Sequence, residues 1–231
     1  MSAAPRLACQ MLAFAGLLAG VATAATPDVS AELTRLEARH AQLLARHRPD
    51  LAELWNLETP AGEGFVGLSE SNLSAHTRAL RTLLARASTL PANARTDSLR
   101  VRLSLELAET EPGGALRRDA LLWLDIVAAA ARAPLASGPA SGCSRTHRVT
   151  RQLRAVPEAL RSAAILLRGA PAPEGRLFEA RVSRVEWLFR QDLPSRTEVC
   201  KEPRRLAEFA RADTLAATAL ASFRRRVTPG P

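Results

Sequence analysis

Thr96-Asp97-Ser98-Leu99-Arg100-Val101-Arg102-Leu103-Ser104-Leu105-Glu106-Leu107-Ala108 is the stretch that decides the fold class. Leu99, Val101, Leu103, Leu105 and Leu107 alternate with polar residues, which is the period of a half-buried strand. Leu99, Leu103 and Leu107 also share one helical face, which Leu105 and Ala108 broaden. A strand needs a partner, and no other stretch offers one. The segment is therefore expected to be a helix buried on two sides, started by Thr96 or Asp97. With that choice the chain becomes all-α, an irregular multi-helix array.

Outward from this segment, Ala, Leu, Arg and Glu dominate, all strong helix formers. Proline and glycine cluster between stretches of helical period. Thr26-Pro27 is expected to open the first helix, with Leu33, Leu36, His40, Leu43, Leu44 and His47 as its inner stripe and Pro49 as its stop. A short piece, Asp50 to Glu58, leads to a loop over 59–67. Ser69 caps a helix with Leu73, Leu80, Leu83, Leu84 and Ala87 on one face. Leu116 to Arg132 is the most apolar helix and the expected centre of the core. Pro134 to Gly142 reads as the clearest loop. Beyond it, helices are expected to Ala155, from Pro157 to Arg168 with Gly169 as cap, from Arg176 to Gln191, and from Pro203 to about Arg226. The loop at 134–142 is where a subdivision would fall, but neither half has an independent core, so residues 25–231 read as one domain.

The N-terminus has the three parts of a secretory signal. Arg6 is the only charge before the apolar run Met11–Val21, and Ala22-Thr23-Ala24 supplies the small residues a signal peptidase inspects. Cleavage between Ala24 and Ala25 makes residues 1–24 a signal peptide and places the protein in the periplasm or outside the cell. The rival reading, an uncleaved anchor, needs about 20 apolar residues, and this run is interrupted by Gly16 and Gly20. No later stretch is long and apolar enough to span a bilayer; Leu121–Ala131 is short and holds Asp125.

Two cysteines remain after cleavage, Cys143 and Cys200, 57 positions apart. In an oxidising compartment such a pair is expected to form a disulfide; two free thiols is the alternative. The net charge of +9 lies in the last 91 residues. From Thr26 to Ala140, 13 Arg face 14 acids; from Ser141 onward, 17 Arg and Lys201 face 9 acids. Such a surface can attract anionic polymers. Acids are interspersed and Tyr is absent, so no nucleic acid partner is expected.

Four histidines exist: His40, His47, His76 and His147. His40 and His47 lie two turns apart on one helix face, which makes them weak candidate metal ligands, but packing within the stripe is the preferred explanation and no metal site is assigned. Glu37 with His40 gives a Glu-x-x-His, but di-iron bundles need that motif twice with two further glutamates. His-Glu-x-x-His, Gly-x-Ser-x-Gly, the phosphate loop and the dinucleotide fingerprint are absent. No catalytic residue and no cofactor is assigned. Asp192 reads as ordinary surface charge.

Two stretches are similar to a bacterial family. Arg48-Pro49-Asp50-Leu51-Ala52, Gly67-Leu68-Ser69 and the run Leu80–Leu90 resemble the opening of the "domain of unknown function 885" proteins. Gln152-Leu153-Arg154-Ala155-Val156-Pro157-Glu158-Ala159-Leu160, continuing to Leu167, resembles that family's Arg-Leu-x-x-Ile-Pro segment. Asp97 and its leucine-rich helix fall between them in the family's order. The resemblance implies an exported, all-helical protein whose relatives carry His-Glu-x-x-His in a C-terminal half and are metallopeptidase-like. This chain is expected to stop short of that half, so no zinc ligand or catalytic glutamate carries over. What remains resembles the helices that wall the substrate cleft.

Three functional expectations follow. The first is an exported, non-catalytic helical binding or scaffold domain for an envelope protein or peptide. The second is a metallopeptidase remnant that needs a separate catalytic half. The third is a basic domain that binds anionic envelope polymers.

Overall fold

A computed structural model describes residues 28–58, 64–136, 142–197 and 199–228. The expected signal peptide, with Ala24 and Ala25, lies outside these residues, as do Thr26 and Pro27. Among the described residues the regular structure is helix and there is no strand. The protein is all-α.

Helix α1, Val29–His47, is capped by Asp28, whose carboxylate accepts from the Ser30 N–H at 3.0 Å. Its inner stripe is the expected one, with His40 and His47 buried alongside the leucines. Helix α2, Pro49–Leu54, follows at once, with Pro49 in the first turn. The ring both ends one helix and begins the next, because a missing N–H is harmless at a helix start. Helix α3, Glu70–Ser88, is capped by Ser69 as expected, Oγ accepting from Asn72 N–H at 3.3 Å.

Helix α4, Ala94–Thr110, contains the deciding stretch. It starts earlier than expected, because the Asn93 side chain accepts from the N–H groups of both Arg95 and Thr96. Thr96, Leu99, Leu103, Glu106 and Thr110 form its buried face. The expectation of burial on two sides fails: Val101 and Leu105 are exposed. α4 is covered by α1 and α3 on one side only, and the alternation of leucines records both an inner and an outer face.

Three apolar clusters result, the third a small one that joins Leu44 of α1 to Leu51 and Ala52 of α2. The first joins Leu33, Leu36 and Leu43 of α1 to Leu80, Leu83 and Ala87 of α3 and to Leu99 and Leu103 of α4. The second is larger and is centred on helix α5, Ala120–Ala136, as its apolar sequence predicts. Trp123 is fully buried there, and its indole N–H donates to the Leu116 carbonyl at 2.9 Å. Irregular residues 64–69 join the clusters. Phe65 and Leu68 enter the second one, and Gly67 passes so close to Ala159 that a Cβ would lie 2.6 Å from its Cα.

The C-terminal part corrects three boundaries. Pro134 is a buried residue within α5, so the expected loop from 134 is shorter, and residues 137–141 fall outside the described ones. Helix α6, Gly142–Leu166, runs through Pro157 without the expected break. Proline removes one backbone hydrogen bond and crowds the preceding turn. Leu153, Val156, Leu160, Ala163 and Leu166 nevertheless keep one buried stripe in phase across it. Gly169, at φ +80°, then turns the chain. The expected helix to Gln191 divides into α7, Gly175–Trp187, a π-helical turn at Leu188–Asp192, and α8, Leu193–Thr197. Helix α9, Pro203–Val227, packs along α6. No described helix is long and apolar enough to cross a membrane.

Cys143, in the first turn of α6, is bonded to Cys200, three residues before α9, with Cα atoms 4.4 Å apart. Closing a 57-residue loop removes unfolded-state entropy equivalent to about 4 kcal/mol. Reduction should therefore lower Tm by roughly 8–16 °C. Calorimetry with and without reductant checks this, and an unchanged Tm would contradict it.

Candidate functional site

The histidine stripe of α1 meets two polar residues from its neighbours. α3 contributes His76, in phase with Leu73, Leu80 and Leu83; α4 contributes Glu106, in phase with Leu99 and Leu103. His40 Nε2 lies 2.7 Å from one Glu106 oxygen, and His76 Nε2 lies 2.8 Å from the other. A carboxylate only accepts, so both imidazoles donate from Nε2. All three side chains are closed to solvent. Burial by itself raises a carboxyl pKa, but the hydrogen bonds from His40 and His76 outweigh it and hold Glu106 at about 2.

His47 faces a different partner. Its Nδ1 donates to the Val66 carbonyl at 2.9 Å, and its ring meets His76 edge to face with centroids 4.9 Å apart. Burial first, and then the proximity of His76, push His47 down to about 4, so it is neutral at pH 7. Trp55 closes the far side of His40, with ring centroids 5.9 Å apart. Glu37, which forms the single Glu-x-x-His with His40, points outward and pairs with Arg95 of α4.

The polar seam continues one turn along α4. Arg48 is fully buried in the short link between α1 and α2. Its Nε and Nη2 donate to the two oxygens of Asp50 at 3.0 and 2.8 Å, and its Nη1 donates to Glu109. Burial opposes the guanidinium charge, and Asp50 and Glu109 outweigh that opposition.

The structure thus brings His40 and His47 to one buried face, as their spacing predicts, but binds His40 to Glu106 and leaves His47 on a backbone carbonyl. Among the described residues no group of three or more His, Cys, Asp or Glu is arranged to hold a metal ion. Both Glu106 oxygens already accept N–H bonds, and no solvent-facing position adjoins them. The arrangement suits fixing the registry of α1, α3 and α4. Sequence reading missed His76 and Glu106, although each occupies a core position in its helical stripe.

A second arrangement lies on the surface, where the end of α2 and helix α5 face α7. A cleft of about 230 Å³ is lined by Glu53, Asp125, Arg132, Arg181 and Arg184, with Val185, Trp187, Leu188 and Asp192. Arg132 pairs with Glu53 at 2.8 Å, Arg181 with Asp125 at 2.7 Å, and Asp192 with Arg196 at 2.8 Å. Arg184 has no carboxylate partner among the described residues. Burial, with Asp50 and Asp119 behind it, raises the Asp125 pKa against the pull of Arg181 and Arg132. Trp187 is 58 % exposed. The π-helical turn follows it immediately and carries Asp192, so the residue read as ordinary surface charge forms part of the rim. Such turns recur at functional sites.

Comparison of the chain with family models, with curated proteins and with solved structures finds no match.

Proposed function

We propose that the protein is an exported, non-catalytic helical module that binds a peptide or protein of the cell envelope. On this reading it resembles the cleft-walling helices of the 885 family. One contrast carries the proposal. His40 and His76 are bonded to the buried Glu106, and His47 to a backbone carbonyl, inside the helices. The surface, by comparison, keeps an arginine-lined cleft with an exposed indole and with Arg184, which has no carboxylate partner among the described residues. Catalytic sites need titratable groups that reach a substrate, and the seam offers none. Polyanion binding is less well supported, because many arginines of the basic part are paired, among them Arg154 with Glu208, Arg205 with Glu202 and Arg224 with Glu179.

The Cys143–Cys200 bond supports an oxidising compartment, in keeping with a signal cleaved before Ala25. N-terminal sequencing of the envelope-fraction protein should begin at or next to Ala25; an intact Met1 on a membrane-bound form contradicts export by cleavage.

Binding without turnover is tested by incubating the mature protein with a tryptic digest of envelope proteins. Gel filtration separates bound from free peptides, and mass spectrometry reads both. A defined subset of peptides should co-elute with the protein, with no new termini in either fraction. New cleavage products, or no enrichment at all, would overturn the proposal.

A further inference from the structure

The cleft between α5 and α7 has a specific chemical character. Arg184 offers a planar fork of donors with no carboxylate partner among the described residues, and such a fork matches a carboxylate in a bidentate geometry. On the same lining, Glu53, Asp125 and Asp192 are each held by one arginine. A carboxylate has about four acceptor sites, so each can still receive an N–H. Trp187, Val185 and Leu188 add an apolar wall.

A ligand that fits all three must carry a carboxylate, N–H donors and an apolar group close together. A polyanion fails, because it would set repeated negative charge against three carboxylates. A fatty acid fails for want of N–H donors. The end of a peptide satisfies all three. The volume points the same way: at about 230 Å³ the cleft is smaller than the roughly 300–1,000 Å³ of sites that enclose a whole small ligand. It suits the terminal residue of a longer chain that continues into solvent.

We propose that this cleft captures the C-terminal carboxylate of a peptide, with Arg184 as its anchor and Trp187 against the last side chain. The inference deepens the peptide-binding reading and rests on it. Arg184 and Trp187 are exposed and neither belongs to an apolar cluster, so their replacement should leave folding intact; thermal unfolding of each variant checks that directly.

The test uses the mature protein and three probes: acetyl-Ala-Ala-Leu with a free carboxylate, the same peptide as its C-terminal amide, and free leucine. Binding is read by tryptophan fluorescence, with Trp187→Phe separating the signal of Trp187 from those of Trp55 and Trp123. The free acid should bind and perturb Trp187, and the amide should bind at least tenfold more weakly. Arg184→Gln should weaken the acid about tenfold or more while leaving the amide unchanged, since a charge-assisted pair is being removed. Arg184→Lys should recover part of that loss. Free leucine should bind more weakly than the tripeptide; equal binding would make the ligand a free amino acid and overturn the peptide-end assignment. Equal binding of acid and amide, or an Arg184→Gln protein with unaltered affinity, would overturn the site while leaving peptide binding elsewhere intact. No response to any probe at millimolar concentration would also overturn the site, and the digest experiment then shows whether the broader reading falls with it.

Discussion

Glu106→Ala should cost about 3–5 kcal/mol of stability and lower Tm by roughly 10 °C or more, the largest effect expected of any single replacement in α4. The substitution removes a buried acceptor on which two histidines converge at 2.7 and 2.8 Å, and it leaves both N–H groups without partners in a closed interior. Desolvation of such orphans dominates the loss, beyond the missing side-chain volume. Replacing all three polar residues together, as His40→Leu, His76→Leu and Glu106→Leu, should cost far less than the single change, because well-packed apolar groups substitute for a buried polar cluster at little net penalty and the change also removes His76 Nδ1, which has no hydrogen-bond partner among the described residues. Denaturant unfolding of the two proteins decides. A single variant within 1 kcal/mol of the parent would show that the seam does not hold the three helices in place.

Acid should weaken the fold in two stages, and His47 dominates the first. Its pKa is about 4 when folded against 6.5 in a free chain, so the folded state resists protonation. Its contribution is fully present above pH 6.5 and is lost as pH falls toward 4. The shift corresponds to about 3 kcal/mol. Glu106, at about 2 when folded against an ordinary 4.5, adds stability above 4.5 that is lost as pH falls toward 2. Asp213 acts in the opposite sense. Burial raises its carboxyl to about 6 against the weaker pull of Arg190, so it favours the folded state as pH falls through that value. It is half exposed and its effect is screened, so the His47 stage prevails. Thermal unfolding at pH 7 and pH 4 should show a Tm drop of roughly 6–12 °C. His47→Gln, which keeps a donor for the Val66 carbonyl, should remove most of that drop. An equal drop in the variant would assign the acid sensitivity to other groups.

Much of the helical framework is legible in the sequence because its signals are local. Ser69 caps α3, Pro203 opens α9 and Gly169 takes the positive φ at the end of α6, each for reasons confined to a few residues. The stripe of α1 likewise predicts that His40 and His47 face inward. Proline was the weak guide. Pro134 and Pro157 both read as breaks, yet each lies inside a helix whose flanking apolar residues stay in phase and outweigh the lost hydrogen bond. The leucine alternation of α4 identifies two faces but not which one a neighbour covers, so Val101 and Leu105 were expected inside and are exposed.

Neither site was legible as a site, for a physical reason. Helical period gives the direction of a side chain within its own helix and says nothing about which helix lies opposite. His76 and Glu106 are 30 positions apart and Glu106 is 66 from His40, so their meeting depends on how three helices cross. The cleft has the same origin: Glu53, Asp125 and Arg184 converge only because α2 and α7 pack on α5. Cys143 and Cys200 were the exception, since an isolated pair leaves little choice of partner.

The most direct test of the non-catalytic reading is the metal content of the mature protein, purified without chelator or affinity tag. Zinc well below one atom per chain is the predicted result, because both Glu106 oxygens are held by N–H donors and His47 is held by a backbone carbonyl. One tightly bound zinc per chain, lost in His40→Ala, would contradict the account and make the buried histidines a metal centre.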